Sequence, residues 1–313
     1  MTSSFFLNPL NSTKLVLLDR YFNEMTELYN SKKLPKALLL SGKKGIGKFT
    51  LVLHFLNYIF TKNEKETYDI KNKKINTKSL FYSQLLNQTN QDIIFVKAEE
   101  NKNIKIDDIR NLKSKLTRSS LSNNPRFIII DEVEFINENS VNALLKSLEE
   151  PTNNNFYILI NNQQADLLET ISSRCLKTNI FLNSKEVRIV TSFLLENNNI
   201  KKLIDLNDNL TPGLFIQYNQ IYSKLNIEKN DSIITKIYKL LNAHKKNKNK
   251  TLINLTLFLI DQYFLRLIQQ NENKLDFLLK IKIDINNNIN DFIYYNLNIN
   301  SVLNSIEIKL KNV

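Results

Sequence analysis

The stretch Phe127–Cys175 reads FIIIDEVEFINENSVNALLKSLEEPTNNNFYILINNQQADLLETISSRC, and its order of parts decides the fold. A short apolar strand, Arg126 to Ile130, ends in two acids, Asp131 and Glu132. Apolar residues at helical spacing then mark a helix over Asn139 to Leu148. A second apolar strand, Phe156 to Ile160, runs into Asn161-Asn162. Ala165 to Ser172 reads as another helix, and the segment closes on Ser173-Arg174-Cys175. Apolar runs this short, bounded by polar residues, are strands buried on both faces.

Working outward, the same alternation continues. Upstream, Ala37 to Ser41 is a short strand entering a glycine-bearing turn, and Lys48 to Phe60 is the helix that the turn launches. Ile93 to Val96 is a further strand, and Ile106, Ile109, Leu112 and Leu116 lie on one helical face. Leu15, Leu18, Phe22, Met25 and Tyr29 give residues 10–30 an amphipathic helical pattern. Residues 61–91 are polar and Lys- and Asn-rich, apart from a helical turn near Leu80 to Leu86. A last strand is expected near Thr178 to Leu182. Strands alternating with helices specify a parallel sheet, here of five strands, covered on both faces.

After about residue 183 the strands stop. Asn183 with Glu186 forms a capping-box pattern opening a helix to about Glu196, and Thr211-Pro212 suits the N-cap and first position of another. Ser232 to Asn242, Thr251 to Gln270 and the remainder to Leu310 show helical spacing only. The expected fold class is therefore α/β plus all-α, with an α/β domain over residues 1–182, a small helical domain over 183–225 and a C-terminal helical domain over 226–313.

Composition narrows the function. The 313 residues carry 43 Lys and Arg against 31 Asp and Glu, a net charge of +12 that suits a polyanionic partner without requiring one. Abundant Asn, Lys and Ile with scarce Gly and Ala is the usage AT-rich coding produces, so part of the lysine excess carries no functional information. The single cysteine, Cys175, excludes an intramolecular disulfide and a cysteine zinc cluster, and His54 and His244 are too few for a histidine metal site. Phe5-Phe6-Leu7 lacks a basic leader and a long apolar core. The greasy stretch Leu252 to Ile268 is broken by Asn254, Asp261, Gln262 and Arg266, which reads as a buried amphipathic helix and not a membrane span. A cytoplasmic protein is expected.

Gly42-Lys43-Lys44-Gly45-Ile46-Gly47-Lys48 fits G-x-x-x-x-G-K between a strand and a helix. Gly42, Gly45 and Gly47 let backbone N–H groups turn toward phosphate oxygens, and Lys48 adds a point charge. The next position calls for a hydroxyl to bind magnesium and carries Phe49 instead. Thr50 follows, rotated by about 100° along the helix. Two outcomes fit these residues: an inert turn, or a pocket that binds nucleotide without efficient hydrolysis. Asp131 and Glu132 have the form that orients a metal's water shell and polarises an attacking water. Asn162, with Asn161 as the lesser choice, falls where a polar sensor would sit between metal and phosphate.

Taken together, these motifs resemble the clamp-loader branch of the AAA+ ATPases, and best the delta-prime family of bacterial DNA polymerase III. The resemblance covers roughly residues 10–225; the remainder matches in length and helical character. It carries Gly42, Gly45, Gly47, Lys48, Asp131, Glu132, the Asn142–Pro151 helix end and Arg174. It implies an AAA+ P-loop domain, a helical lid and a C-terminal helical collar. It also implies that Arg174, in Ser-Arg-Cys, acts in trans on a neighbour's ATP, where a guanidinium can stabilise phosphoryl charge. The implied partners are gamma/tau-type ATPase subunits and a delta subunit in a five-membered ring, with primer-template DNA and the sliding clamp reached through that complex.

The chain departs from the family in two ways. Pro212-Gly213 is followed by Leu214 where motor subunits carry a sensor arginine, and no four-cysteine zinc module separates loop and acidic strand. Phe49 and the missing arginine argue for a subunit of the polymerase holoenzyme with no ATPase or polymerase activity of its own. The alternatives are an ATP-hydrolysing gamma/tau-type motor, which those two positions oppose, and a stand-alone nucleotide kinase, which leaves Arg174 and the helical C-terminal third without a role. The basic run His244 to Lys250 reads as a solvated loop between helices.

Overall fold

A computed structural model describes residues 8–97, 103–117, 124–150, 154–207 and 210–311. Phe5-Phe6-Leu7 and Pro151 lie outside the described residues. The chain divides into two compact units, one of residues 1–200 with 206–217 and the other of residues 201–205 with 218–313.

Five strands build the first unit: β1 (Ala37–Ser41), β2 (Ile93–Lys97), β3 (Arg126–Asp131), β4 (Asn155–Asn161) and β5 (Leu176–Asn179). They pair in parallel in the order β2-β3-β4-β1-β5. Side chains alternate across the sheet, so each strand feeds two cores. Leu38, Leu40, Ile93, Phe127, Ile129, Ile158 and Ile160 pack against α1 (Asp19–Asn30), α2 (Lys48–Phe60) and α3 (Leu80–Asn87). On the opposite face Leu39, Ile94, Val96, Ile128, Ile130 and Leu159 meet α4 (Ile106–Thr117), α5 (Glu138–Glu149) and α6 (Glu169–Ser172). Phe127 anchors the first core, with Phe156 stacked at 5.2 Å and Phe55 edge-on at 5.9 Å. The order places β1 inside the sheet between β4 and β5 and carries the chain to the far edge for β2, so the loop after β1 opens at the strands' carboxyl ends.

The structure redraws four boundaries. The first helix starts at Asp19 and not near residue 10, because the chain before it bonds elsewhere: Leu15 N–H donates to Lys73 and Thr13 accepts from Ile75. Only Glu169–Ser172 of the expected helix over 165–172 is helical, since Gln163 turns left-handed and its N–H goes to the Asn161 side chain. The last strand ends at Asn179, beyond which Phe181 bonds Arg20 and Tyr21 of α1. The basic run is mostly helix: α9 (Ile233–Asn247) and α10 (Lys250–Gln270) are separated by Lys248 and Asn249 alone.

The polar segment after α2 is tied down by a buried histidine. His54 bonds the Tyr68 hydroxyl through Nδ1 at 2.8 Å and the Ser12 carbonyl through Nε2 at 3.0 Å. Tyr68 and Ile75 are buried beside it, and Asp69 pairs with Lys74 to close a short turn. This hydrogen-bonded segment occupies the place where family resemblance leads one to look for a zinc module. Among the described residues no group of three or more His, Cys, Asp or Glu is placed to hold a metal.

Past the sheet, α7 (Ser184–Asn197) begins with the expected capping box of Asn183 and Glu186. α8 (Pro212–Lys224) opens against the glycine loop, where the Thr211 hydroxyl donates to Lys44 O at 2.6 Å and Gly213 N–H donates to Gly45 O at 2.8 Å. A Cβ on Gly213 would come within 2.8 Å of the Gly45 backbone.

The second unit is helical. α9 and α10 join α11 (Leu275–Tyr295) and α12 (Ile299–Lys311) around Leu241, Ile260, Phe264, Ile285, Ile289 and Ile306. The buried Asn219 side chain accepts the N–H groups of Leu203 and Ile204. α10 is long and apolar enough to cross a membrane by length and composition. It nevertheless buries Leu252, Leu255, Thr256, Ile260 and Phe264 within this bundle, as a core helix does.

Burial pushes the His54 pKa down to about 4. The unfolded chain therefore takes up a proton at His54 below about pH 6.5, and the folded chain does not until about pH 4. Unfolding free energy should fall by about 2–4 kcal/mol across that window from this group, and His54→Gln should flatten the fall in urea titrations. An unchanged slope in the variant would contradict the buried neutral imidazole. Gly213→Ala should lower stability by about 1–3 kcal/mol through overpacking, against the gain that helix propensity alone predicts. A raised urea midpoint would show that α8 does not dock as closely as described.

Candidate functional site: a glycine loop without its hydroxyl and an arginine at the sheet edge

The loop Gly42 to Lys48 has the backbone its glycines permit. Gly45 and Gly47 take φ values of 81° and 104°, which favour glycine, and Gly47 caps α2. Gly42 lies so close to Ile180 that an added Cβ would sit 2.3 Å from its carbonyl oxygen. Lys48 is 2% exposed, and its ammonium turns back on the loop, donating to Gly42 O at 2.5 Å and Lys43 O at 2.9 Å. Burial lowers its pKa to about 8; Asp131 and Glu134 oppose the shift and Lys44 adds to it.

Phe49 sends its ring into the first core, 5.7 Å from that of Phe95. It is a packing residue with no oxygen to offer a metal. Thr50 is half-buried one step along α2, and no hydrogen bond joins its hydroxyl to Lys48, Asp131 or Glu132.

The acidic strand end is fully engaged. Asp131 Oδ1 accepts from Glu132 N–H at 3.0 Å and Asn162 Nδ2 at 3.3 Å, and its Oδ2 faces Lys97 at 3.3 Å. Glu132 sits in a left-handed conformation, φ 59°, and pairs with Lys44 at 2.7 Å. Lys44 also donates to Gln164 Oε1 at 3.2 Å. Asn162 is thus the asparagine brought to the acid, whereas the Asn161 side chain turns to Ser41 and Gln163.

Three contributors escaped the sequence reading. Lys44 closes the loop onto Glu132. Glu134, two residues after Glu132, accepts Asn162 N–H with both oxygens at 3.0 and 3.1 Å, and burial raises its pKa. Thr211, directly before α8 as expected, also donates its hydroxyl to the loop. The repeated acid of Asp-Glu-Val-Glu was a visible signal for Glu134; nothing local marked Lys44 or Thr211.

The residues present lack one ligand that a magnesium–nucleotide calls for. The hydroxyl ligand is replaced by a packed phenyl ring, the loop lysine is bonded to loop carbonyls, and the water-polarising acid is neutralised by Lys44. Leu214 stands where a sensor arginine would be expected from resemblance.

Arg174 follows Ser173, the C-cap of α6, on the opposite core's side of the sheet, and its side chain is 33% exposed. It pairs with Glu149 at the end of α5. Cys175 packs against the second core, and burial pushes its thiol up to about 11, so it is a packing residue and not a nucleophile.

A family model described as "DNA polymerase III, delta subunit" matches residues 18–183, which include the loop, both acids and Arg174. DNA polymerase III subunit delta' of Buchnera aphidicola subsp. Schizaphis graminum is 30% identical over 232 residues, covering 73% of this chain and 66% of that protein. The delta' subunit of Pseudomonas aeruginosa is 32% identical over 143 residues, 45% of this chain and 42% of its own length. A DNA polymerase III gamma subunit, also from the Schizaphis graminum symbiont, is 27% identical over 158 residues, 49% and 40% of the two chains. The chain thus spans less than two thirds of the length of these relatives. With the match reaching over the whole sheet, the glycine loop and the Ser-Arg-Cys edge, this chain belongs to the DNA polymerase III delta subunit family.

Proposed function

We propose that this chain is a delta-prime-type subunit of the bacterial replicative clamp loader, one that hydrolyses no ATP itself and lends Arg174 to the ATP site of a gamma-type neighbour. The observation that carries this reading is the contrast between the two halves of the site. The chain's own loop is closed by its own residues, with Phe49 in the core and Lys44 on Glu132, while an arginine is held at the surface on a short helix end. A guanidinium brought to another subunit's γ-phosphate offers paired N–H donors and fixed positive charge as negative charge shifts in the transferring group.

In this reading the partners are gamma/tau-type ATPases and a delta subunit in a five-membered cytoplasmic ring, and primer-template DNA and the sliding clamp are handled by the assembly. The chain requires no metal and no nucleotide of its own. The gamma-type relative makes a motor subunit the natural rival. Phe49 and Leu214 weigh against it, because a motor needs both the metal-binding hydroxyl and the sensor arginine that these positions lack.

The isolated chain should turn over no ATP above background with magnesium present; robust hydrolysis would refute the reading. In the complex reconstituted with gamma-type and delta subunits, Arg174→Ala should cut ATP turnover by about 10²-fold or more. Unchanged turnover in a complex shown to be intact would remove the trans role. Phe49→Thr should leave the isolated chain inactive, since Leu214 and the Lys44–Glu132 pair persist. Full activity in that variant would make the missing hydroxyl the sole defect.

A further inference from the structure

Arg174 reaches the surface already oriented. Its Nε donates to Glu149 Oε1 at 2.5 Å, and its Nη1 donates to Thr170 O at 2.9 Å and lies 3.4 Å from Ser173 Oγ. The Nη2 amino group takes part in none of these bonds. Two of the three guanidinium nitrogens are therefore bonded to this chain's own acceptors, and Nη2 is the third.

The two residues come from different elements. Glu149 is the last residue of α5, and Arg174 follows the C-cap of α6, 25 positions later. Their side chains are 47% and 33% exposed. A pair this open to water adds little to folding stability, because solvent screens it and ordering two long side chains costs entropy. Its effect is on direction. A free arginine samples many rotamers, and a subunit that must meet a phosphate across a boundary loses that freedom on every encounter. A carboxylate on Nε removes the loss in advance without taking Nη2, the group left for a phosphate oxygen.

We infer that Glu149 is a positioning residue for Arg174, holding the guanidinium by its Nε so that Nη2 faces the phosphoryl group in the neighbouring subunit. The inference rests on the trans role proposed above and adds to it the residue that aims the arginine. Glu149 touches no substrate; it acts through Arg174 alone.

The test uses the reconstituted complex, with ATP saturation curves and assembly checked by sedimentation. Glu149→Ala should lower kcat by about threefold to tenfold, the cost of ordering one long side chain, with KM for ATP unchanged. Glu149→Gln keeps an oxygen acceptor for Nε and should restore most of the rate. Glu169→Gln, which removes an equal charge from the first turn of α6, should have no effect. If Arg174→Ala abolishes turnover while Glu149→Ala leaves it intact, the positioning role is overturned and the trans arginine stands. A faster Glu149→Ala enzyme would overturn it too, by making Glu149 a competitor of the phosphate. So would a fall in rate that merely tracks loss of assembly. If Arg174→Ala itself is silent, the underlying reading fails.

Discussion

The buried ammonium of Lys48 is the constraint around which the first unit is arranged. A lysine 2% exposed keeps its charge only if the protein supplies acceptors, and here they are the carbonyls of its own loop, with Asp131 and Glu134 nearby. Curling onto Gly42 and Lys43 fixes the loop's turn, which in turn presents Lys44 O and Gly45 O to the start of α8. The second lysine of the loop's sequence, Lys44, then reaches Glu132 across the strand ends. The side chains of Lys48, Asp131, Glu132 and Asn162, which a nucleotide and metal would engage, each have a partner inside the chain.

The acidic strand end also has a structural role. Asp131, Asn162 and Glu134 form one hydrogen-bonded set that ties β3 to β4, with Asn162 donating its side chain to Asp131 and its backbone to Glu134. Here they serve as a clamp that keeps the carboxyl ends of the strands in register. Arg174 lies outside that closed set, at the end of the same sheet, where the strand–helix alternation delivers it to the surface on a one-turn helix.

Much of this was legible in the residues. Runs such as Phe127 to Ile130 and Tyr157 to Ile160 are buried on both faces and could only be parallel central strands, so the sheet was read correctly. The glycine loop and the two acids announced themselves through spacing, and Arg174 through resemblance to the clamp-loader Ser-Arg-Cys motif. The misread boundaries have a common cause: tertiary hydrogen bonds override local propensity. Leu15 and Leu18 fit a helical stripe but belong to a chain segment bonded to Lys73 and Ile75, and Ala165 to Leu168 lose their helix to the turn that Gln163 makes. Lys44, Glu149 and Thr211 were missed because their significance depends on partners 88, 25 and 167 residues away. No local pattern carries that information.

The most direct measurement is a structure of the assembled complex with a non-hydrolysable ATP analogue in the neighbouring subunit. The account predicts Arg174 Nη2 within hydrogen-bonding distance, about 3 Å, of a γ-phosphate oxygen, with Glu149 still on Nε and no metal at the Phe49 loop. An Arg174 turned away from every nucleotide, or a magnesium–nucleotide seated in this chain's own loop, would contradict it.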